Sequence, residues 1–273
     1  MMSATESVDV KEIVRDVAGG QLKLHIKHGG TGDPVIFLHN AAGPRWDPFL
    51  RQLALSRTVY APEHPGTTDG DPDAIDRVHE LWDLVLIYEE AIRSLGFDRP
   101  PVCIGASVGG MLAAELAATF PNLFSKLVLI APAGLWREDP APREWLTSDP
   151  AKMAQRLFLD PSRPTVADYL KQSDDPEIAL KQRVQAIWST GCTGKFLWPL
   201  PDRGLRRRLH RIEAPTLILW GSDDDITPAA YAQDFGEGIT GSVVKLIPDS
   251  GHVVQIEQRE TVIKHVLNFL DGA

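Results

Sequence analysis

Short runs of apolar residues recur along the chain and predict the strands of one sheet. Residues 8–17 predict a strand, and after the Gly19-Gly20 turn the alternation of apolar and polar positions over residues 22–26 predicts its hairpin partner. Six later runs are mainly apolar, as expected for strands that are buried on both faces of a parallel sheet. These runs cover residues 35–38, 58–61, 102–104, 127–130, 216–220 and 243–247.

Between these runs, apolar residues recur at intervals of three and four, which is the spacing of helices that cover a sheet. Such patterns extend over residues 75–95, 111–119 and 261–270. Strands that alternate with helices predict an α/β protein with a mostly parallel, doubly wound sheet of eight strands.

The alternation stops between residues 134 and 211. This stretch is rich in proline and tryptophan and has no run typical of a strand. We therefore predict a core of residues 1–133 and 212–273 and a helical cap of residues 134–211. Because open α/β sheets bind ligands at the carboxyl ends of their strands, a cap at that edge would cover a pocket.

Composition and charge restrict the possible partners. The net charge of −9 argues against nucleic acid and against an anionic membrane. The one basic cluster, residues 203–211, fits the solvated face of an amphipathic helix whose Leu205, Leu209 and Ile212 point inward. No apolar run reaches the roughly 20 residues of a membrane helix, so we predict no membrane partner.

The expected location is cytoplasmic. The first residues are acidic and lack the apolar core of a signal peptide. The two cysteines, Cys103 and Cys192, are too few for the disulfide framework of a secreted protein.

One short motif carries the strongest chemical signal. Residues 105–109 read Gly-Ala-Ser-Val-Gly, between a predicted strand and a predicted helix. This is the setting of a nucleophilic serine on a sharp strand-to-helix turn, which needs small residues two positions before and after Ser107. A glycine-rich turn without chemistry is the weaker interpretation, because the strand and the helix both stand where the motif requires them.

A serine hydroxyl needs a base, and the base needs an acid that orients it. Both follow Ser107 in the chain. The predicted strand 216–220 leads to three aspartates, residues 223–225, and His252 lies on a loop after the last predicted strand. The other seven histidines lie in the hairpin, in helices, in the basic cluster or after other strands. There we expect structural or surface roles.

Taken together and in this order, these segments resemble the α/β-hydrolase superfamily over essentially the whole chain. The matching segments are residues 37–39, 61–66, 105–110, 220–228 and 250–252. The resemblance implies the α/β-hydrolase fold and a catalytic triad of serine, acid and histidine. In this family the acid usually lies three residues after the glycine that ends its strand, which selects Asp224. The family's other acid position, after the run 127–130, holds no carboxylate until Glu138.

The resemblance also implies an oxyanion hole made of two backbone N–H groups. One belongs to Val108, and for the other we favour Ala41, in the loop after residues 37–39. The family more often has glycine where this chain has Asn40, but asparagine tolerates left-handed backbone angles. The Asn40 side chain either bonds within its own loop or offers its amide to the substrate.

The predicted function is that of a serine hydrolase that cleaves a carboxylic ester or related acyl compound through an acyl-enzyme. The candidate substrate-binding residues are Asn40, Trp46, Trp136 and Trp188, with Leu135, Trp145 and Trp198 as further cap residues. An aromatic cap suits an apolar or aromatic small molecule, although each tryptophan alone is better explained by packing within the cap. We predict no cofactor and no metal, since no histidine or cysteine pair has ligand spacing. The sequence does not predict an oligomeric state.

Two kinds of alternative stay open. Similar capped enzymes use the same triad to hydrolyse carbon–carbon bonds in vinylogous diketones from aromatic ring cleavage, and lactone hydrolysis and cofactor-free peroxidation are also possible. The alternative from another class is a non-catalytic small-molecule receptor on the same fold. Such a receptor usually loses a triad residue or the serine turn, and this sequence keeps them all.

Overall fold

The computed structural model describes residues 8–69, 71–146, 150–197 and 202–272. It contains a sheet of eight strands in the order β1-β2-β4-β3-β5-β6-β7-β8. The strands are β1 (Val10–Val17), β2 (Leu22–Gly29), β3 (Pro34–Leu38), β4 (Thr58–Pro62), β5 (Val102–Ala106), β6 (Lys126–Ile130), β7 (Thr216–Gly221) and β8 (Val243–Ile247). Strand β2 is antiparallel to both of its neighbours, and the remaining adjacent pairs are parallel. The predicted mostly parallel sheet is therefore confirmed.

Helices cover both faces of this sheet. They are α1 (Pro48–Leu53), α2 (Leu81–Ser94), α3 (Val108–Thr119), α4 (Pro150–Leu157), α5 (Pro164–Leu170), α6 (Pro176–Leu197), α7 (Ala230–Gly238), α8 (Val254–Glu257) and α9 (Arg259–Asp271). Successive strand residues point to opposite faces. In β6, Leu127 and Leu129 join one core with α2, α3 and α7, whereas Val128 and Ile130 join the other with α1, α8 and α9. The central strands are apolar throughout because both of their faces are buried.

Helices α4, α5 and α6 lie between β6 and β7 in the chain, and no strand occurs among the described residues of this segment. Helix α6 packs on the loop that leaves β4. Trp188 Nε1 donates to the Gly66 carbonyl at 2.8 Å, and Lys195 Nζ donates to the Ile75 carbonyl at 2.8 Å. That loop starts at the carboxyl edge of the parallel strands, so α6 lies over this edge. The division into a core and a cap of residues 134–211 stays a prediction.

The helix predicted over residues 75–95 begins later than its apolar spacing indicates. Pro72–Arg77 form a 3₁₀ turn, and α2 starts at Leu81. The Asp83 carboxylate accepts hydrogen bonds from the N–H groups of His79 and Glu80, at 2.9 and 3.1 Å. These bonds satisfy N–H groups at the start of α2 and so fix where the helix begins.

The basic cluster 203–211 forms two 3₁₀ turns, Leu205–Arg207 and Leu209–Arg211, rather than one amphipathic helix. Its leucines are buried as predicted. Arg208 donates two hydrogen bonds, of 2.8 and 2.6 Å, to the buried carboxylate of Glu115 on α3. This arginine therefore compensates a buried charge.

In the part of the chain that is described, every helix is too short or too polar to cross a lipid bilayer.

Helix α1 has an unusual amino-terminal cap. The Asp47 carboxylate accepts a hydrogen bond from the Leu50 N–H at 2.9 Å. Burial nevertheless raises the pKa of Asp47 from 3.8 to about 6, against the opposing effects of the backbone N–H groups and of Arg45. The folded protein thus binds this proton more tightly than the unfolded chain, and the associated stabilisation is lost as the pH rises through about 6.

We expect Asp47→Asn to stabilise the fold more at pH 7.5 than at pH 4.5, because asparagine keeps the cap acceptor and carries no charge. The gain in the free energy of unfolding should be larger at the higher pH by about 1–2 kcal/mol, as measured by urea denaturation. Asp33→Asn, at a side chain that is 77% exposed, is the control and should change little at either pH. A gain for Asp47→Asn that is the same at both pH values would contradict this account.

Candidate active site

Ser107 occupies a strained turn between β5 and α3. Its backbone angles are φ 54° and ψ −115°, a conformation that costs a non-glycine residue about 1–3 kcal/mol. The turn is held by hydrogen bonds to the loop after β6. The Ser107 N–H donates to the Ile130 carbonyl at 2.9 Å, and the Ala133 N–H donates to the Ser107 carbonyl at 3.0 Å. These bonds help to keep the backbone of Ser107 in this conformation.

Glycines allow this turn to approach the sheet. A Cβ on Gly109 would lie 2.1 Å from the Leu38 carbonyl oxygen, and a Cβ on Gly105 would lie 2.4 Å from the Gly109 carbonyl oxygen. Both distances are far below contact distance between backbone atoms. The glycines predicted to be necessary on either side of Ser107 therefore stand where any side chain would clash.

The structure brings His252 and Ser107 together, although 145 residues separate them in the chain. His252 follows β8 on a loop, and its Nε2 lies 2.8 Å from Ser107 Oγ. Its Nδ1 lies 2.8 Å from Asp224 Oδ2. Since an ionised carboxylate only accepts hydrogen bonds, Nδ1 carries the proton and Nε2 is free to accept the Ser107 O–H.

The surroundings of Asp224 distinguish it from the two aspartates beside it. Its side chain is fully buried, and its Oδ1 accepts hydrogen bonds from the N–H groups of Ile226 and Thr227 at 2.8 and 2.9 Å. Asp223 instead accepts a hydrogen bond from the Ser222 hydroxyl, and Asp225 pairs with Arg143 at 2.6 Å. Among residues 223–225, Asp224 alone is placed against His252, in agreement with the sequence rule.

The loop that carries His252 packs tightly against the end of β7. A Cβ on Gly221 would lie 2.1 Å from the Gly251 carbonyl oxygen. The buried carboxylate of Glu257 accepts hydrogen bonds from the N–H groups of Gly251, Leu159 and Asp160, at 2.8, 3.1 and 2.9 Å. Glu257 thus ties the His252 loop to the chain that follows α4.

Sequence reasoning missed Glu257. The available signal was a carboxylate at the end of the apolar stretch 253–256, where a helix facing solvent would have more polar residues. Its partners Leu159 and Asp160 lie almost 100 residues earlier in the chain, at separations of 98 and 97. No local pattern indicates such a contact.

The loop after β3 lies beside the serine turn, as the contact between Gly109 and Leu38 requires. Asn40 Oδ1 accepts a hydrogen bond from the Ala42 N–H at 3.0 Å, so this oxygen is used within its own loop. Burial lowers the pKa of His39 to about 4, and its ring is neutral at neutral pH. Its Nδ1–H then donates to the Asn40 carbonyl at 2.6 Å, and its Nε2 accepts from the His64 N–H at 3.1 Å. These bonds fix the backbone on either side of Ala41.

Helix α5, which lies between β6 and β7 in the chain, also contacts the loop after β3. The sequence did not predict this contact. The Arg45 guanidinium lies 4.4 Å from the ring centre of Tyr169 on α5 and donates to the Tyr169 carbonyl at 3.1 Å. The phenol of Tyr169 contacts the Asn40 side chain. Asn40 therefore contacts α5 as well as its own loop.

A small cavity borders the loop of Asp224, and Ser107, Asp224 and His252 are not among its lining residues. It is lined mainly by apolar groups, including Trp136, and by Arg143 and Arg203. Ile226 and Thr227, which donate to Asp224, form part of its wall. Its other lining residues are Met111, Glu115, Ala133, Gly134, Leu135, Pro142, Trp145 and Leu197.

Two of the predicted substrate-binding tryptophans lie outside this cavity. Trp46 packs against Gly29, which pairs with Val59 near the amino end of β4, so it lies toward the sheet edge opposite Ser107. Trp188 is 44% exposed and bonds to the loop after β4. Tertiary packing rather than residue type decides which tryptophan reaches this cavity, and the contact of Trp46 and Trp188 with substrate stays a prediction. Trp198 lies outside the described residues.

Comparisons with known proteins identify the family and the fold. A model of the alpha/beta hydrolase family matches residues 28–265, and the chain belongs to this family. A 2-hydroxy-6-oxo-6-phenylhexa-2,4-dienoate hydrolase of Burkholderia cepacia is 25% identical over 99% of both chains. A monoacylglycerol lipase of Xenopus laevis is 25% identical over 89% of this chain and 77% of its own. The crystal structure of a bacterial membrane phospholipase A has a TM-score of 0.76 at 22% identity, covering 96% of this chain and 86% of that one, and shows the same fold.

We expect Gly109→Ala to destabilise the protein severely, because the new Cβ would meet the backbone of β3. A loss of at least about 3 kcal/mol in the free energy of unfolding, or failure to fold, should appear in chemical denaturation. Gly191→Ala is the matched control, since this helical glycine has no atom within 4 Å of the added Cβ. It should be neutral or stabilising by up to about 1 kcal/mol. Wild-type stability of Gly109→Ala would refute the close approach of the serine turn.

Proposed function

We propose that this α/β hydrolase cleaves a carboxylic ester or a related acyl compound through an acyl-enzyme on Ser107. One observation supports this most: the imidazole of His252 lies within hydrogen-bond distance of both Ser107 Oγ and the Asp224 carboxylate. A base that is oriented by a buried acid is what a serine hydroxyl needs to become a nucleophile. We also propose that the substrate is a small molecule. The cytoplasmic location stays a prediction.

In the first half of the reaction, Ser107 Oγ attacks the carbonyl carbon while His252 Nε2 takes the hydroxyl proton. The carbonyl electrons move to oxygen and give a tetrahedral oxyanion. His252 then returns its proton to the leaving alkoxide as the carbon–oxygen bond breaks, which leaves an acyl group on Ser107. The Asp224 carboxylate keeps Nδ1 protonated and stabilises the imidazolium that forms between these steps.

In the second half, His252 takes a proton from water, and the resulting hydroxide attacks the acyl carbon. The second tetrahedral oxyanion collapses, Ser107 Oγ leaves and receives the proton from His252, and the acid product departs. The enzyme returns to its starting protonation state, so the balance requires only ester and water.

The oxyanion donors in this proposal are the N–H groups of Val108 and Ala41. Val108 is the first residue of α3, where the N–H has no carbonyl partner within the helix and the helix dipole favours negative charge. Ala41 lies in the loop whose backbone is held by His39 and Asn40. Each donor would stabilise the transition state by about 3–4 kcal/mol.

The cavity supports an apolar acyl group. Its lining by Met111, Leu135, Trp136 and Trp145 offers apolar surface next to the Asp224 loop. A substrate whose acyl chain or ring fills this space would gain about 25 cal/mol for each square ångström of apolar surface removed from water.

A second candidate function is hydrolysis of a carbon–carbon bond in a vinylogous diketone. The name of the Burkholderia relative describes this kind of substrate, an oxo-dienoate that carries a carboxylate. The lining of the same cavity includes Arg203, an arginine that would offer a cation to such a carboxylate. We keep the ester as the main proposal, because the three central side chains suffice for it.

We expect Ser107→Ala to lower kcat by a factor on the order of 10⁶, since removing the nucleophile of a triad removes the covalent route. The measurement is hydrolysis of p-nitrophenyl esters, followed by absorbance. Ser222→Ala, close to the same loop but bonded to Asp223, is the control and should keep most of the activity. Ordinary turnover by Ser107→Ala would refute the role of Ser107.

We expect Asp224→Asn to lower kcat by about 10⁴-fold, because an amide does not hold the imidazole in the required tautomer. The neighbouring substitution Asp223→Asn should change kcat less than about twofold, since that carboxylate contacts Ser222 and not His252. Equal losses in the two variants would show that the acid has been assigned to the wrong aspartate.

Substrate class is tested by comparing kcat/KM for p-nitrophenyl esters of increasing chain length with that for a ring-cleavage diketone. We expect kcat/KM to rise from the acetyl to the hexanoyl ester by about tenfold or more, as buried methylenes in an apolar pocket contribute. The expected kcat/KM for the diketone is lower than for the best ester. A strong preference for the diketone that Arg203→Ala removes would overturn the ester proposal in favour of the second candidate.

A further inference from the structure

Helix α6 presents an apolar face to solvent. Leu180, Val184, Ile187 and Trp188 are 54, 57, 66 and 44% exposed. They are spaced by four, three and one residues, which places them on one side of a helix. We call these four residues the α6 stripe. Single exposed apolar residues are ordinary, but four aligned on one helix form a continuous patch that typically marks an interaction site.

The opposite side of α6 is packed in the carboxyl-terminal half of the helix. Ser189, Cys192, Thr193 and Phe196 are buried against the rest of the protein. The helix therefore has two different contact faces, and the described residues cover only one of them.

Cations flank the α6 stripe. Lys181 and Arg183 lie on either side of Val184 around the helix, and neither forms an ion pair with any described residue. An apolar face with a tryptophan and with basic residues at its margins is the pattern of a helix that lies in a lipid–water interface. The indole of Trp188 fits such a boundary, since its Nε1–H bonds to the Gly66 carbonyl while much of its ring stays exposed.

Helix α6 lies between the α6 stripe and a loop of the candidate active site. Ser189 follows Trp188, and its Oγ would lie 2.7 Å from a Cβ placed on Gly43. Gly43 belongs to the loop of Asn40 and Ala41. Because Ser189 lies on the packed side of α6, the α6 stripe is separated from this loop by the thickness of the helix, about 10 Å.

We propose that the α6 stripe docks on a lipid surface with zwitterionic phospholipid headgroups. The apolar side chains would enter the interface, and Lys181 and Arg183 would meet the phosphates. The net charge of −9 disfavours a strongly anionic surface, and this is why the zwitterionic one is chosen. The inference departs from the expectation of no membrane partner, which rested on the charge of the whole chain and on the lack of a spanning segment. The inference rests on the proposed function in one respect only, which is that the ester substrate would come from this lipid surface.

A second copy of the chain fits the α6 stripe less well. An antiparallel pair of α6 helices centred on Val184 would bring both copies of Lys181 and Arg183 close to the symmetry axis. The nearest acid on that side, Glu177, lies seven residues from Val184, or roughly 10 Å along the helix. Like charges without compensation at the centre disfavour this interface.

The test is co-sedimentation of the full chain with sucrose-loaded phosphatidylcholine vesicles, with no substrate present. We expect the wild type to sediment and Ile187→Glu to lower the partition coefficient at least tenfold. Leu86→Glu is the matched control, because Leu86 is also an exposed helical leucine, 47% exposed on α2, and it should change partitioning less than twofold. Both variants should keep the wild-type rate on a water-soluble short-chain ester.

Tryptophan fluorescence gives a readout that does not depend on the glutamate variant. The emission of the wild type should shift to shorter wavelength with vesicles, and this shift should be much smaller in Trp188→Phe. The proposal is overturned if the wild type does not sediment, if Ile187→Glu sediments equally well, or if light scattering shows a dimer that Ile187→Glu dissociates. Because sedimentation, fluorescence and light scattering are measured without turnover, vesicle binding and ester hydrolysis can fail independently of each other.

Discussion

The hydrogen bond between the Asp224 carboxylate and His252 Nδ1 determines what the rest of the site can do. It joins the loops that follow β7 and β8 and leaves Nε2 directed at Ser107, 2.8 Å away. The carboxylate is itself fixed by two backbone N–H groups, so its orientation does not depend on solvent. The three hydrogen bonds that Asp224 accepts offset the loss of hydration that burial of a carboxylate entails. The close packing of Gly221 on Gly251 and the bonds of Glu257 keep the two loops at this distance.

The second constraint is steric. Ser107 has a backbone conformation that non-glycine residues rarely adopt, and the turn lies so close to β3 and β5 that glycine is required on both sides. The parallel sheet makes this possible, because β3, β5 and β6 end at the same edge and the Ile130 carbonyl of β6 accepts the hydrogen bond of the Ser107 N–H. The sheet thus keeps the strained backbone of Ser107 in place, while the Ser107 hydroxyl stays accessible to the His252 imidazole.

The sequence predicted the parts that depend on local pattern. Apolar runs identify strands buried on two faces, and the spacing of Gly105, Ser107 and Gly109 identifies the turn. The acid among residues 223–225 was selected by the family resemblance. The start of α2 depends on local hydrogen bonds to Asp83 that the apolar spacing does not show. The pairing of Arg208 with Glu115, the role of Glu257 and the positions of Trp46 and Trp188 depend on contacts between distant segments. No local pattern encodes those contacts, so they required the structure.

The central claim is that this geometry makes Ser107 a nucleophile, and a fluorophosphonate probe tests it without knowledge of the substrate. We predict one covalent adduct for each chain, which peptide mass spectrometry locates at Ser107. Labelling should be slower by at least about a hundredfold in His252→Ala, because the base that activates the hydroxyl is gone. No adduct in the wild type, an adduct at another serine, or equal labelling rates in the two proteins would contradict the account and favour a receptor on the same fold.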